Sequence, residues 1–315
     1  MSNRSTFSGE SLLKSVCRAY PFYSGYAKLA SSPIFQKLAR KPEVGEEAFA
    51  TICDGSRLRV RLDDHDGFAV YYLGDWDRRV TWICRRLLRP GDTVLDIGSN
   101  YGLIAMVAAR LVGPTGQVHA FEPQPKLADM IRASKEANGF RQIHVHTVAL
   151  SESSGTLDLF IPANHSGGSS LAPTEGADDE KLPVAVHHAS QYLAHIGVTS
   201  VRLMKIDVES HEAQVLRGAA NFFASHPPDV VLFESMDRFH RPLEPQLPFP
   251  ELPTVRFLRS FGYSLYSIGR SFLKVKVLKV ELDTVAHPEC CDLLAIREDA
   301  LPEVSRALGL DAVRT

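Results

Sequence analysis

An α/β domain built on a mostly parallel sheet, with helices on both faces, is the fold class this sequence predicts, and three observations predict it. From residue 93 onward, short apolar runs alternate with helical patterns, the signature of strand–helix–strand units. The helical stretches halt at Gly113-Pro114 and Asn138-Gly139, residues that cannot continue a helix cheaply. At 315 residues, 44% apolar and 23% charged, the chain has the size and composition of one large globular α/β domain with additions.

The elements follow in order. Residues 1–45 read as a helical segment broken at "YPFY", "SSP" and "KPEVG". Residues 46–75 hold two alternating runs around Asp54-Gly55, a strong hairpin signal. Residues 76–315 form the main domain. "TVLDIG" (93–98), "QVHAFEP" (117–123) and "IHVHTVAL" (143–150) are its first three strands, separated by helices over 103–113 and 125–139. The second of these helices puts Leu127, Met130, Ile131 and Ser134 on one side. "GTLDLFIP" is a further short strand, and the Gly- and Ser-rich stretch 164–180 is a long loop of the kind that is usually functional. "LMKIDVE" (203–209), "DVVLFES" (229–235), "YSLYSI" (263–268) and "CDLLAIRE" (291–298) complete the sheet.

Composition narrows the function. A net charge of −2 gives no global field for nucleic acid or acidic membranes. Neither a basic stripe nor an Asn/Asp-Pro-Pro-aromatic motif marks a nucleic-acid methylase. Five cysteines, with Cys290 and Cys291 adjacent and no CxxC, suit reduced thiols and a cytoplasmic setting. There is no signal-peptide pattern and no apolar run of about 18 residues that would span a membrane. The N-terminal segment is basic and aromatic (Arg4, Lys14, Arg18, Lys28, Tyr20, Phe22). Such a segment can rest on a membrane surface, though packing across its own domain is the weightier reading.

Ligands of open α/β sheets bind beyond the carboxyl ends of the strands. There the sequence places Asp96-Ile97-Gly98-Ser99-Asn100-Tyr101-Gly102 and, one strand later, Glu122. An acidic side chain at the second strand's end can accept hydrogen bonds from both hydroxyls of a ribose. The loop lacks the central glycine of a dinucleotide site, having Asn100 instead, and Asp96 would repel a pyrophosphate. A carboxylate suits a cofactor with an ammonium, a sulfonium and no phosphate, which describes S-adenosylmethionine.

"GDTVLDIGSNYG", "GQVHAFEPQP", "VALSESSGTLDLFI" and "LMKIDVESHEAQVLRGA" resemble, in order and spacing, the FkbM family of S-adenosylmethionine-dependent methyltransferases over roughly residues 70–235. The resemblance implies a class I methyltransferase (Rossmann-like) fold with a seven-stranded sheet whose last strand is antiparallel. It implies an acceptor hydroxyl on a sugar, glycolipid or polyketide. It places Asp96, Gly98 and Asn100, within the loop that includes Ser99 and Gly102, at the methionine moiety. Glu122 goes to the ribose, Ala149 beside the adenine, and Asp207 with Glu209 at the transfer site. Two positions depart from the family pattern: Ser210 stands where glycine is usual, and Asp77 where glutamate is.

The stretch 203–212 carries Lys205, Asp207, Glu209, His211 and Glu212 at a strand's end. Methyl transfer is an in-line displacement in which the sulfonium loses its charge. A carboxylate touching sulfur would therefore stabilise the ground state more than the transition state. Asp207, Glu209, His211 and Lys205 are accordingly expected to act on the acceptor, orienting its hydroxyl or taking its proton. Ion pairing of Lys205 with Asp207 or Glu234 is the structural alternative. Asp207, Glu209, His211 and Glu234 could ligate a cation, but no HxxxH or HExxH pair anchors them, and no metal is expected. The loop 164–180 is expected to close over the acceptor beside Asp207. Two other functions remain open at this point: a non-catalytic cofactor-binding scaffold of the same fold, and a nicotinamide-dependent oxidoreductase.

Overall fold

The computed structural model describes residues 6–19, 32–171, 179–234, 247–269, 274–282 and 292–310. Cys290, Cys291, Tyr20 and Phe22, and part of the loop 164–180, lie outside them. The strands, in chain order, are β1 (Glu47–Thr51), β2 (Arg57–Arg61), β3 (Thr93–Ile97), β4 (Gln117–Phe121), β5 (Ile143–His146), β6 (Ala149–Ser151), β7 (Gly155–Ile161), β8 (Glu180–His188), β9 (Leu203–Ile206), β10 (Val230–Glu234), β11 (Tyr263–Gly269), β12 (Lys276–Lys279) and β13 (Asp292–Arg297). The helices are α1 (Thr6–Arg18), α2 (Pro33–Leu38), α3 (His65–Leu73), α4 (Arg78–Leu87), α5 (Leu103–Val112), α6 (Pro125–Asn138), α7 (Ala189–His195), α8 (Glu212–Gly218), α9 (Ala220–Ser225), α10 (Pro253–Ser260) and α11 (Leu301–Leu308).

The central sheet has the order β12-β11-β13-β10-β9-β3-β4-β5. From β5 to β10 neighbours run parallel, and β13 is antiparallel to both β10 and β11. This is the α/β arrangement expected, with one correction: among the described residues the sheet has eight strands, not seven. The eighth is β12, antiparallel to β11 at the edge. It comes from "KVLK", whose Val277 is buried while the lysines stay exposed, a charged pattern that suits a sheet edge. A second correction concerns 143–150, read as one strand. The run splits, β5 staying in the central sheet and β6 joining β8 and β7 in a separate three-stranded sheet.

Alternation along the strands sets the two cores. On β3, Val94 faces the layer containing α4, α5 and α6, while Leu95 and Ile97 face the layer containing α7 to α10. On β9, Leu203 faces the first layer and Met204 and Ile206 the second. Period-2 geometry then puts Asp96 and Lys205 on the first face. They are also register partners across the parallel pair. A carboxylate and an ammonium thus lie side by side at the end of the sheet.

The hairpin β1–β2 forms around Asp54-Gly55 as expected, with Glu47 opposite Arg61 and Thr51 opposite Arg57. It is not a free extension. The Asn138 amide of α6 accepts from the Arg57 N–H (2.9 Å) and donates to the Arg57 carbonyl (2.7 Å), and Ser134 Oγ accepts from the Arg59 N–H. The hairpin is followed by α3, capped by Asp64 and ended by Gly74 in the left-handed region. Helix α1 packs on α3: Glu10 accepts from the Tyr71 hydroxyl at 2.6 Å and the Lys14 ammonium sits 3.4 Å over the Tyr71 ring. Among the described residues, no helix is long and apolar enough to cross a membrane.

Candidate active site

A cavity of about 1020 Å³ opens beyond the carboxyl ends of β3, β4, β9 and β10. Its first half is made by the loop after β3. Gly98 has φ 78° there, and a Cβ at this position would fall 1.8 Å from the Asp207 carbonyl oxygen, so no other residue fits. The Gly98 and Ser99 N–H groups both donate to the Phe121 carbonyl, and Ser99 Oγ donates to the Asp96 carbonyl. Asn100 takes φ 48°, a region asparagine tolerates better than most residues. Its N–H donates to Glu122 Oε2 at 2.8 Å, while the Gln124 N–H donates to Oε1 at 2.9 Å. Glu122 is therefore oriented by backbone at both oxygens, and burial pushes its carboxyl up to about 8. Gly102 caps α5, and Ala149 lines the wall beside Val148 and Leu150.

Asp96 is fully buried, and among the described residues its carboxylate oxygens have no well-formed hydrogen bond, only weaker approaches from the Ser99 side chain and the Ala105 N–H. Burial raises its carboxyl, and the nearest cation is Lys205 at 3.8 Å. A buried carboxylate left this way is costly and suits a ligand with an ammonium group.

The second half is built from charge. Lys205 Nζ lies 2.9 Å from Asp207 Oδ2 and 3.4 Å from the Gly98 carbonyl. Burial would lower its pKa, but Asp207 and Asp96 hold it raised. After β9 the chain makes a turn in which Glu209 (φ 48°) and Ser210 (φ 72°) both sit in the left-handed region. Ser210 thus occupies a glycine-type conformation. Asp207, Glu209 and Glu234 bring carboxylate oxygens within 4.8 Å of one another. Burial first, then the charges of Asp207 and Glu212, pushes Glu209 up to about 8. Glu234 is raised by burial and by Asp207 and Asp292.

Two of the expected catalytic groups have close partners of their own. Lys205 is an ammonium locked between carboxylates, with no lone pair to take a proton. The His211 ring nitrogen Nε2 is engaged with Ser151 Oγ at 2.9 Å, and burial lowers its pKa to about 4, so the imidazole is neutral and a weak base. Asp77, at the "GDWD" departure, lines the cavity and also caps α4, its carboxylate accepting from the Arg79 and Val80 N–H groups. Asp66, Trp76 and His165 line the cavity too and were not anticipated. The sequence signal that could have found them is Asp64, a helix-capping residue type four positions before the apolar stretch that begins at Phe68.

Of the loop 164–180, residues 172–178 lie outside the described residues. Its first part is seated over the cofactor loop: Ser166 Oγ donates within reach of Asn100 Oδ1 (3.1 Å), and Ser170 Oγ donates to the Glu209 carbonyl (2.6 Å).

A sequence model of the methyltransferase FkbM domain matches residues 96–265, more than half of the chain. The chain belongs to the FkbM methyltransferase family. This family uses S-adenosylmethionine, and the poorly satisfied buried carboxylate of Asp96 together with the backbone-oriented Glu122 fits that cofactor. Among FkbM relatives, the 31-O-demethyl-FK506 methyltransferase FkbM of Streptomyces tacrolimicus is 31% identical over 159 residues, 42% of this chain and 60% of that protein. Methyltransferase sdnD of Sordaria araneosa is 28% identical over 154 residues, 40% of this chain and 59% of that one. The chain thus spans about 60% of the length of these relatives. The O-methyltransferase TomG of Streptomyces achromogenes, solved in complex with SAM, is 13% identical, with 75% of this chain and 86% of that chain covered and a TM-score of 0.39.

Proposed function

We propose that the protein is an O-methyltransferase acting on a hydroxyl of a small acceptor of the sugar, glycolipid or polyketide class, and that Glu209 receives the acceptor's proton. When bound, the cofactor supplies an electrophilic methyl group. Asp96 faces its ammonium, Glu122 its ribose hydroxyls and Ala149 its adenine, while Gly98, Ser99, Asn100 and Gly102 shape the loop around it. Lys205 is a positioning residue: its ammonium sits between Asp96 and Asp207 and holds Asp207 at the boundary between cofactor and acceptor.

The observation that carries the reading is the placement of Glu209. A strained turn aims it into the same cavity as Asp96, beside Asp207 and Glu234, with its carboxyl lifted to about 8. A base whose pKa lies near working pH balances availability against proton affinity. The acceptor O–H proton passes to the Glu209 carboxylate as the new C–O bond forms.

Incubation with labelled S-adenosylmethionine and a panel of hydroxylated acceptors tests the activity. Glu209→Gln is expected to lower kcat by about 10²–10⁴-fold, leaving cofactor affinity within a few-fold. In the native enzyme kcat/KM should rise with pH up to about 8 and then level, because the deprotonated carboxylate is the active form. That limb should vanish in Glu209→Gln. Cofactor binding without turnover on any acceptor would instead favour a binding scaffold, and equal thermal stabilisation by NAD would overturn the cofactor.

A further inference from the structure

A second cluster of ligand-type side chains sits at the rim of the cavity, apart from the carboxylates after β9. His65 and Asp66 open α3, and His165 enters from the loop after β7. His65 Nδ1 is 3.1 Å and His165 Nε2 3.6 Å from the same oxygen, Asp66 Oδ1. The two imidazole rings are 5.1 Å apart, and the three ligand atoms all lie within 4.8 Å of one another. A zinc-type ion bound at about 2.0–2.1 Å holds tetrahedral ligand atoms about 3.4 Å apart. Two of the three separations already match that spacing.

The other oxygen of Asp66 is committed elsewhere. Oδ2 accepts from Asn100 Nδ2 at 3.1 Å and from the Gly167 N–H at 2.8 Å. The approach of the loop is so close that a Cβ on Gly167 would lie 2.1 Å from Oδ2. The carboxylate is thus fixed by neighbours on one oxygen and presents the other to two imidazoles, as in a monodentate metal ligand held by outer hydrogen bonds. The Trp76 ring packs edge-on against His65 at 5.2 Å, limiting its rotation.

We infer that His65, Asp66 and His165 form a binding site for a divalent transition-metal ion of the zinc type. Two nitrogens and one carboxylate oxygen are the donor set that imidazole-preferring ions select, unlike the oxygen-only set at Asp207, Glu209 and Glu234, which suits harder cations. Three protein ligands leave at least one coordination position free. Asp66 and His165 line the cavity, so that position opens toward its interior. The site does not depend on the methyl-transfer reading.

Chelator-treated full-length protein titrated with Zn²⁺ by calorimetry, and with Co²⁺ by visible absorption, tests the inference. One ion per chain is expected, with the intense d–d bands of a four- or five-coordinate cobalt centre. His65→Ala and His165→Ala should each weaken binding at least tenfold. Both side chains are about half exposed, so each variant should keep its fold, as checked by circular dichroism. Glu234→Gln should leave the affinity unchanged. Lack of saturable binding, or equal affinity in the His65→Ala/His165→Ala double variant, overturns the site. Loss of binding in Glu234→Gln also overturns it, placing the ion among the carboxylates instead. S-adenosylmethionine affinity measured on the same samples separates this outcome from a failure of the cofactor assignment.

Discussion

The loop after β3 and the turn after β9 face each other across one cavity, yet they are held in different ways. The first is fixed by main chain: Gly98 and Ser99 donate to Phe121, and Asn100 and Gln124 donate to Glu122. The second is fixed by side-chain charge: Lys205 on Asp207, Arg79 on Asp292, and carboxylates crowded at Glu209 and Glu234. The main-chain bonds to Phe121 carry no titrating group and keep their shape as pH changes, whereas those to Glu122 end on a carboxyl that burial lifts to about 8. A cluster of buried charges gives a chemistry that pH and single substitutions can alter strongly.

Lys205 belongs to both regions, and removing it should blur the contrast most. Lys205→Met leaves Asp96 and Asp207 without their shared cation, so a loss of about 3–5 kcal/mol in urea denaturation is expected. A loss below about 1 kcal/mol would mean that Lys205 does not tie the two regions together. Gly98→Ala attacks the main-chain side. The new Cβ meets the Asp207 carbonyl at 1.8 Å in a left-handed conformation. Overpacking plus that conformation should cost about 3 kcal/mol and abolish thermal stabilisation by S-adenosylmethionine.

pH should act on both regions next, through Glu122 in the first and Glu209 in the second. Glu209 binds its proton more tightly folded than unfolded, because burial lifts it from 4.5 to about 8. Its contribution to stability is therefore full below its unfolded pKa and is lost as pH rises through about 8. Thermal melts from pH 5 to 9 should show that fall, and Glu209→Gln should make it shallower, leaving the part that comes from the likewise raised Glu122 and Glu234. The smallest effect expected is a gain: Ser210→Gly relieves a left-handed serine (φ 72°) and should stabilise the fold by about 1 kcal/mol. An unchanged melting temperature would show that the serine side chain compensates its own strain.

The same division explains what could be read from residues alone. Asp96 lies near the end of β3, and Gly98, Asn100 and Glu122 come just after β3 and β4, so their placement at the cavity could be read from local order. Lys205 and Asp207 are two residues apart on one strand, and their pairing was legible as an alternative to catalysis. By contrast, Asn100 meets Asp66 across 34 positions and Gly167 meets it across 101. No local pattern announces such contacts, and His165 therefore looked like an ordinary loop residue. The sheet was legible where apolar runs are uniform, at β3, β4, β9 and β10. It was misread at 143–150, where one apolar run serves two sheets, and at β12, where alternating Lys and Val looks like surface chain.

Asn138 shows how one side chain can protect a molecule from its own copies. The outward N–H and carbonyl of Arg57 are the groups through which a strand edge recruits another strand, and intermolecular pairing of this kind is a route to aggregation. The Asn138 amide presents a donor and an acceptor together and occupies both groups at once, while Ser134 takes the next outward N–H at Arg59. A helix thereby closes the edge with two side chains where a further strand would otherwise be needed. Solubility of the whole protein then depends on a position far from its chemistry, one that screens based on turnover alone would pass over.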